Sequence, residues 1–293
     1  MPPRVCLFLL SLFLLPQTAF ARQWLVDTDW LAHNMNSSNI AIVDMSDSMQ
    51  YTRFHIPAAR HLPYNAITRP NKKRISLSIG NQQIMQVLGQ LGIKPEMHII
   101  IYDDIGGLNA SRLFWELERI GHQQVSLLDG GLVKWILEGK QVVARHAQYP
   151  KTIYRPTDSS GYNNLATLDD LTATKNSTPV LLDVRSKEEY TGHPRQKGTG
   201  HIPGAHWWHW EDNVSFENAF QIQSADTLTQ RAKSLGLGDK QQPVIVYCRS
   251  GHRAAHSYFT LRSRGYRNVK LYDGSMAEYS LARPGRMKQG EKP

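Results

Sequence analysis

The chain has 293 residues, 41% of them hydrophobic, enough to bury one large core or two of ordinary size, which excludes a disordered polypeptide. Its formal net charge of +9 is dispersed, with no Lys/Arg block longer than Lys72-Lys73-Arg74, so it lacks the concentrated basic face of a protein that tracks a nucleic-acid backbone. An acidic membrane surface or a small anionic substrate remains as the reading of that charge.

Residues 1–21, MPPRVCLFLLSLFLLPQTAFA, place Arg4 before an apolar run and end in Ala19-Phe20-Ala21, the pattern of a secretory signal peptide cleaved after Ala21. The apolar run over 5–15 is shorter than the roughly 20 residues of a spanning helix. The alternative is an uncleaved N-terminal anchor. Cleavage removes Cys6 and leaves Cys248 as the only thiol of an exported chain, where an odd cysteine is reactive or pairs between molecules. The competing reading is a buried, inert cysteine acting as a small hydrophobe.

Beyond the leader, β-branched runs predict strands at 40–43, 98–102 and 125–128, with helical patterns at 82–91 and 111–120 and a C-cap glycine at Gly121. The polar stretch 141–164, with Pro150 and Pro156, reads as a linker. After it come predicted strands at 180–184, 244–247 and 269–271, and predicted helices at 167–174, 225–235 and 254–264, the last closed by Gly265.

The second set repeats the first. The stretch 41-AIVDMSDSMQYTRFHIPAARHLPYN-65 and the stretch 180-VLLDVRSKEEYTGHPRQKGTGHIPGAHWWHW-210 share a strand ending in Asp and a later His-Ile-Pro. Likewise 99-IIIYDDIGGLNASRLFWELERIGHQQVSLLDGGLVKW-135 matches 244-VIVYCRSGHRAAHSYFTLRSRGYRNVKLYDGSMAEY-279 in strand, loop, helix, Gly, strand and Asp-Gly. Strands alternating with helices argue for an α/β fold, two tandem domains each built on a mainly parallel central sheet flanked by helices. The expected limits are 22–145, a linker at 146–164, and 165–293. In this register Asp103 stands where the second half has Cys248, and Ser46 where it has Arg185, so the first half is inactive and the second catalytic.

A strand that ends, turns tightly and opens a helix leaves backbone N–H groups pointing into the turn, and the helix terminus adds partial positive charge. Cys248 sits in such a cradle, followed by Arg249, Ser250, Gly251, His252 and Arg253. The cations favour a thiolate, and Gly251 admits a backbone conformation that a Cβ would obstruct. This suits a nucleophile attacking an anionic substrate. Cysteine phosphatases use Cys-x5-Arg, whereas here the spacing is Cys248-x4-Arg253, and the smaller ring favours sulfur over phosphate.

The tandem halves, 183-DVRSKEEY-190, 200-GHIPGA-205, 248-CRSGHR-253 and 273-DGS-275 together resemble the rhodanese family of sulfurtransferases over nearly all of the chain after the leader. The resemblance implies a double displacement in which Cys248 takes the outer sulfur of a donor such as thiosulfate, holds it as a persulfide and passes it to cyanide or another thiol. Arg185 matches the family's substrate-binding arginine, and Arg249 suits thiosulfate rather than the uncharged Cys-Gly-Ser-Gly loop of mercaptopyruvate users. With Arg253, Ser250, Gly251 and His252 they form the expected donor pocket. His252-Arg253, in place of a Val-Thr ending, and Met276, in place of Trp after Asp-Gly-Ser, depart from the tandem pattern and bear on donor and acceptor. The expected protein is a periplasmic monomer that needs no cofactor or metal and binds neither nucleic acid nor, once the leader is gone, membrane. Its partners are a small anionic sulfur donor and an external thiol or cyanide acceptor. The alternatives are a non-catalytic persulfide carrier or sensor for a protein partner and, behind it, a cysteine phosphatase.

Other features carry less. His201, His206 and His209 lack an acidic or thiol ligand to complete a metal pattern. Trp207, Trp208 and Trp210 suit packing better than a substrate mouth. Asp183 orients Arg185 or the backbone, and Asp103 is structural.

Overall fold

The computed structural model of the protein describes residues 23–156, 161–172, 178–196 and 198–293. The expected signal peptide and its cleavage site lie outside the described residues. No described helix is long and apolar enough to cross a membrane.

Each half carries a five-stranded sheet. The first runs Leu25–Val26, Val125–Leu128, His98–Tyr102, Ile40–Asp44, Arg60–His61, and the second runs Leu165–Ala166, Val269–Tyr272, Val244–Tyr247, Val180–Asp183, Ala205–Trp207. All neighbours in both sheets are parallel, and the two orders are the same fold topology met twice. Parallel strands covered on both faces must be apolar throughout, as Ile99-Ile100-Ile101 and Val244-Ile245-Val246 are. Two antiparallel ribbons, Thr68–Pro70 with Ser76–Ser78 and Val214–Ser215 with Gln221–Ile222, lie apart from the sheets.

The repeat extends to individual hydrogen bonds. The tyrosine ending each central strand accepts at its hydroxyl from the isoleucine of the His-Ile-Pro turn, Ile56 to Tyr102 at 3.0 Å and Ile202 to Tyr247 at 3.1 Å. Tyr51 and Tyr190 each donate to the alanine carbonyl beyond that turn, at 2.9 and 2.8 Å. The histidine of each turn stacks on the same tyrosine, and its Nδ1 donates to that tyrosine's carbonyl. His201 is thereby a turn residue.

The halves meet through helices Leu108–Arg119 and His252–Ser263, which pack face to face with Phe114 and Phe259 edge to face at 4.9 Å. One apolar cluster runs through both halves and contains Trp208 and Trp210. Buried ion pairs cross the interface, Arg112 to Asp273 at 2.6 Å and Arg262 to Glu118 at 3.0 Å.

Three expectations change. The segment read as a linker is docked over its described residues: Tyr149 donates to the carbonyl of Ala58, Thr152 to that of Gly89, and Tyr154 is buried against His122. The predicted helix over 167–174 is a short 3-10 turn at Asp169–Thr172, with 173–177 outside the described residues. Helices Leu108–Arg119 and His252–Ser263 begin at 108 and 252 rather than at the expected 111 and 254, because Gly107 (φ 86°) and Gly251 (φ 80°) cap them in left-handed conformations.

Candidate active site

Strand Val244–Tyr247 delivers Cys248 to the C-terminal edge of the second sheet, where ligands of open parallel sheets bind. The chain then turns through Arg249 and Ser250 to Gly251. A Cβ at Gly251 would lie 2.5 Å from Asp273 Oδ1 and 2.9 Å from Arg112 Nη1, so the turn is closed to any side chain. Beneath it, Ser275 Oγ accepts from the N–H of Cys248 and of Gly251, both at 3.1 Å, and donates to the carbonyl of Tyr272 at 2.7 Å. Ser275 holds a left-handed φ of 48° to do so.

The remaining amides of the loop are spare. The N–H groups of Arg249, Ser250, His252, Arg253 and Ala254 donate to no acceptor among the described residues. Their counterparts in the first half show where such amides converge. Asp103 Oδ1 accepts from Ile105 at 3.0 Å and Gly107 at 2.8 Å, and Oδ2 accepts from Asn109 at 2.7 Å and Ala110 at 3.0 Å. A strand-turn-helix loop of this kind therefore collects four amides on the side chain at the strand's end. In the second half that side chain is a thiol.

Cys248 is 1% exposed and free, deeper than a surface loop suggests, and it packs in the apolar cluster with Val246 and Val184. A cavity of about 760 Å³ reaches the loop at Arg249, and Arg185, Met276, His193 and Met287 line it too, but Cys248 itself does not. Met276 and Ala277 donate to the carbonyls of Cys248 and Arg249, which ties the cavity wall to the loop.

The expected donor-binding residues divide. Arg185 and Arg249 share the cavity, Arg249 exposed and Arg185 held by three bonds to the Asp183 carboxylate, at 2.9, 3.1 and 2.6 Å, and one to the Gly200 carbonyl at 2.8 Å. Asp183 thus orients Arg185. Arg253 is turned to Glu189 in a two-pronged bond of 2.6 and 3.0 Å. His252 leans on Tyr64 with ring centroids 4.1 Å apart, and its Nε2 donates to Asn109 Oδ1 at 2.7 Å, both partners coming from the first half. Burial, reinforced by the positive charge of Arg112 and Arg253, pushes His252 down to about 4, so it is neutral at physiological pH. Ser250 and Gly251 supply turn backbone.

Sequence reasoning missed Arg112, Asn109, Tyr64 and Glu189, and saw Ser275 and Asp273 only as part of Asp-Gly-Ser. The Asp273 carboxylate joins the halves, with Oδ1 accepting from Arg112 and Oδ2 from the N–H of Ser78 at 2.8 Å. The repeat held one usable signal: the Asp-Gly pair recurs at Asp129, whose Oδ1 accepts from Ile222 of the other half at 2.8 Å.

A model of the rhodanese-like domain matches the chain twice, over residues 27–138 and 165–282. The chain belongs to the rhodanese-like family. It is 33% identical over 266 residues to a protein of Mycobacterium leprae named "Putative thiosulfate sulfurtransferase", covering 87% of this chain and 94% of that one. It is 30% identical over 270 residues to the sulfur carrier protein TtuD of Thermus thermophilus, covering 87% and 93%. Among solved structures it resembles SseA of Escherichia coli, a 3-mercaptopyruvate sulfotransferase, with a TM-score of 0.74 and 26% identity over 86% of this chain and 98% of that one. The spare amides around Cys248 are thus those of a rhodanese-like loop, and the loop that closes on Asp103 is its partner in a tandem pair.

Proposed function

We propose that the protein is a sulfurtransferase whose second half carries sulfane sulfur on Cys248, with thiosulfate or a similar anion as donor. The observation that carries this reading is the set of unpaired amides in the loop after Cys248, where the matching loop of the other half turns four amides onto the Asp103 carboxylate; of their counterparts only Gly251 is taken, by Ser275. Such donors stabilise negative charge on a bound sulfur before and after transfer without reorganisation. The Cys248 thiolate attacks the outer sulfur of thiosulfate. A bond forms from Sγ to that sulfur, the bond between the two thiosulfate sulfurs breaks, and sulfite leaves with the electron pair. Cyanide or a thiolate then attacks the terminal sulfur, and the Cys248 thiolate leaves.

Arg249 and Arg185 give the cavity the positive charge that draws the donor anion. Arg253 serves the site through Glu189 rather than by contact with the donor, and this argues against phosphatase chemistry, which needs the arginine free to bind phosphate. His252, neutral and hydrogen-bonded to Asn109, holds the loop against the first half. Residues 1–21 make export part of the proposal. The name of the Thermus relative favours one second reading, a carrier that hands its sulfur to a protein.

The test is formation of thiocyanate from thiosulfate and cyanide by the purified protein. We expect many turnovers per molecule, lost by about a thousandfold or more in folded Cys248→Ser. A single stoichiometric release favours the carrier, and substantial turnover by the serine variant refutes Cys248 as the sulfur-bearing group.

A further inference from the structure

Four arginines among the described residues are nearly sealed from solvent, Arg60, Arg112, Arg185 and Arg262. Three have carboxylate partners: Arg112 pairs with Asp273 and Glu116, Arg185 with Asp183, and Arg262 with Glu118. Arg60 pairs with no carboxylate among the described residues. It opens the edge strand Arg60–His61 of the first sheet and is 6% exposed. Its Nε donates to the carbonyl of Leu91 at 2.9 Å, and its Cζ sits 3.5 Å from the centre of the Tyr149 ring. Neither Nη1 nor Nη2 donates to any described residue.

Arg60 lines a cavity of about 510 Å³ on the first half, together with the apolar Met35, Ile42 and Met97 and the polar Asn36, Ser37 and Ser38, with the exposed Lys94 at its rim. A guanidinium stays charged even when desolvated, and a buried charge without a counter-ion is costly. Stacking on Tyr149 offsets part of that cost. The two free nitrogens keep the parallel N–H pair that a carboxylate fills with both its oxygens. Met35, Ile42 and Met97 offer an apolar wall that a hydrocarbon body covers and an inorganic oxyanion does not. The second half lacks the feature, since the strand position of Arg60 is taken by His206.

We propose that this cavity binds a small organic carboxylate with an apolar body, its carboxylate gripped by Arg60 and steered by Lys94. The site is separate from Cys248 and does not depend on the sulfur chemistry.

Calorimetric titration of the full-length protein with hexanoate, with sodium sulfate as control, tests it. We expect saturable hexanoate binding that is weakened about tenfold or more by Arg60→Met and only a few-fold by Lys94→Ala, as loss of a paired bond and of a rim charge dictates. Thiosulfate-to-cyanide turnover should be unchanged in both. Because Arg60→Met leaves Nε's carbonyl partner bare, Met97→Glu is the second variant. It places a carboxylate inside the cavity against Arg60 and should abolish hexanoate binding while the melting temperature holds or rises. Absence of hexanoate binding to the unaltered protein, binding indifferent to both Arg60→Met and Met97→Glu, or equal displacement by sulfate would overturn the proposal.

Discussion

The loops that follow Tyr102 and Tyr247 leave the same kind of strand and open the same kind of helix, yet one is closed and the other open. In the first, the Asp103 carboxylate takes four amides and holds them. In the second, Ser275 takes two from below, and five find no acceptor among the described residues near the Cys248 thiol. The side chain at the strand's end thus separates a loop closed on its own carboxylate from one whose amides are left open. The closed loop is one residue longer and carries Asp104 where the open one has Arg249, so the first half has also lost the charge that would draw a donor.

The comparison breaks most severely at Asp103. Replacing it with Ala strips four backbone donors of a charged acceptor, and Asp103→Ala should cost about 3 kcal/mol or more of stability, measured by denaturant unfolding. A loss within the range of an ordinary surface change would mean that those bonds hold nothing. Next in size is Arg249→Ala, exposed and outside the fold's pairings. It should lower kcat/KM for thiosulfate about 10- to 100-fold, the worth of one charge-assisted contact, with the melting temperature unmoved. Equal loss with an uncharged donor would remove Arg249 from donor binding.

A sharper variant copies one loop into the other. Cys248→Asp should stop transfer yet raise stability by about 1–2 kcal/mol, because the new carboxylate meets amides already in place. Destabilisation, the usual result for a buried charge, would show that the amides do not converge on position 248.

The smallest effect follows from the helix beyond the loop. His256 fills the position that Arg112 holds in the first half, and burial pushes it, like His252, down to about 4. Both bind protons later in the folded chain than in the unfolded chain, whose histidines titrate near 6.5. The unfolded state therefore gains protons first, and stability falls as pH drops from about 6.5 towards 4, by at most about 1.4 kcal/mol per unit for each group. His256→Gln should flatten that slope; an unchanged slope would show that His256 does not contribute.

How much of this the sequence disclosed depended on distance along the chain. Strands 98–102, 125–128 and 244–247 were legible to the residue because each is a short run dominated by β-branched and apolar residues. Short helices such as Thr28–Asn34 and Gly131–Leu137 offer too few turns for a periodic stripe and went unread. The loop from Cys248 to Arg253 could be recognised because its residues are contiguous. Its burial could not, nor could the diversion of His252 and Arg253 to Asn109 and Glu189, since those partners lie 143 and 64 residues away. The contribution of Arg112 through Asp273 was equally hidden, because it exists only once the two halves are packed together.

The most direct test of the open nest is intact-mass analysis of the reduced protein before and after incubation with thiosulfate, followed by peptide mapping. The account predicts a gain of the mass of one sulfur atom, located on the peptide containing Cys248 and released by cyanide. An unchanged mass, or sulfur carried elsewhere in the chain, would contradict it.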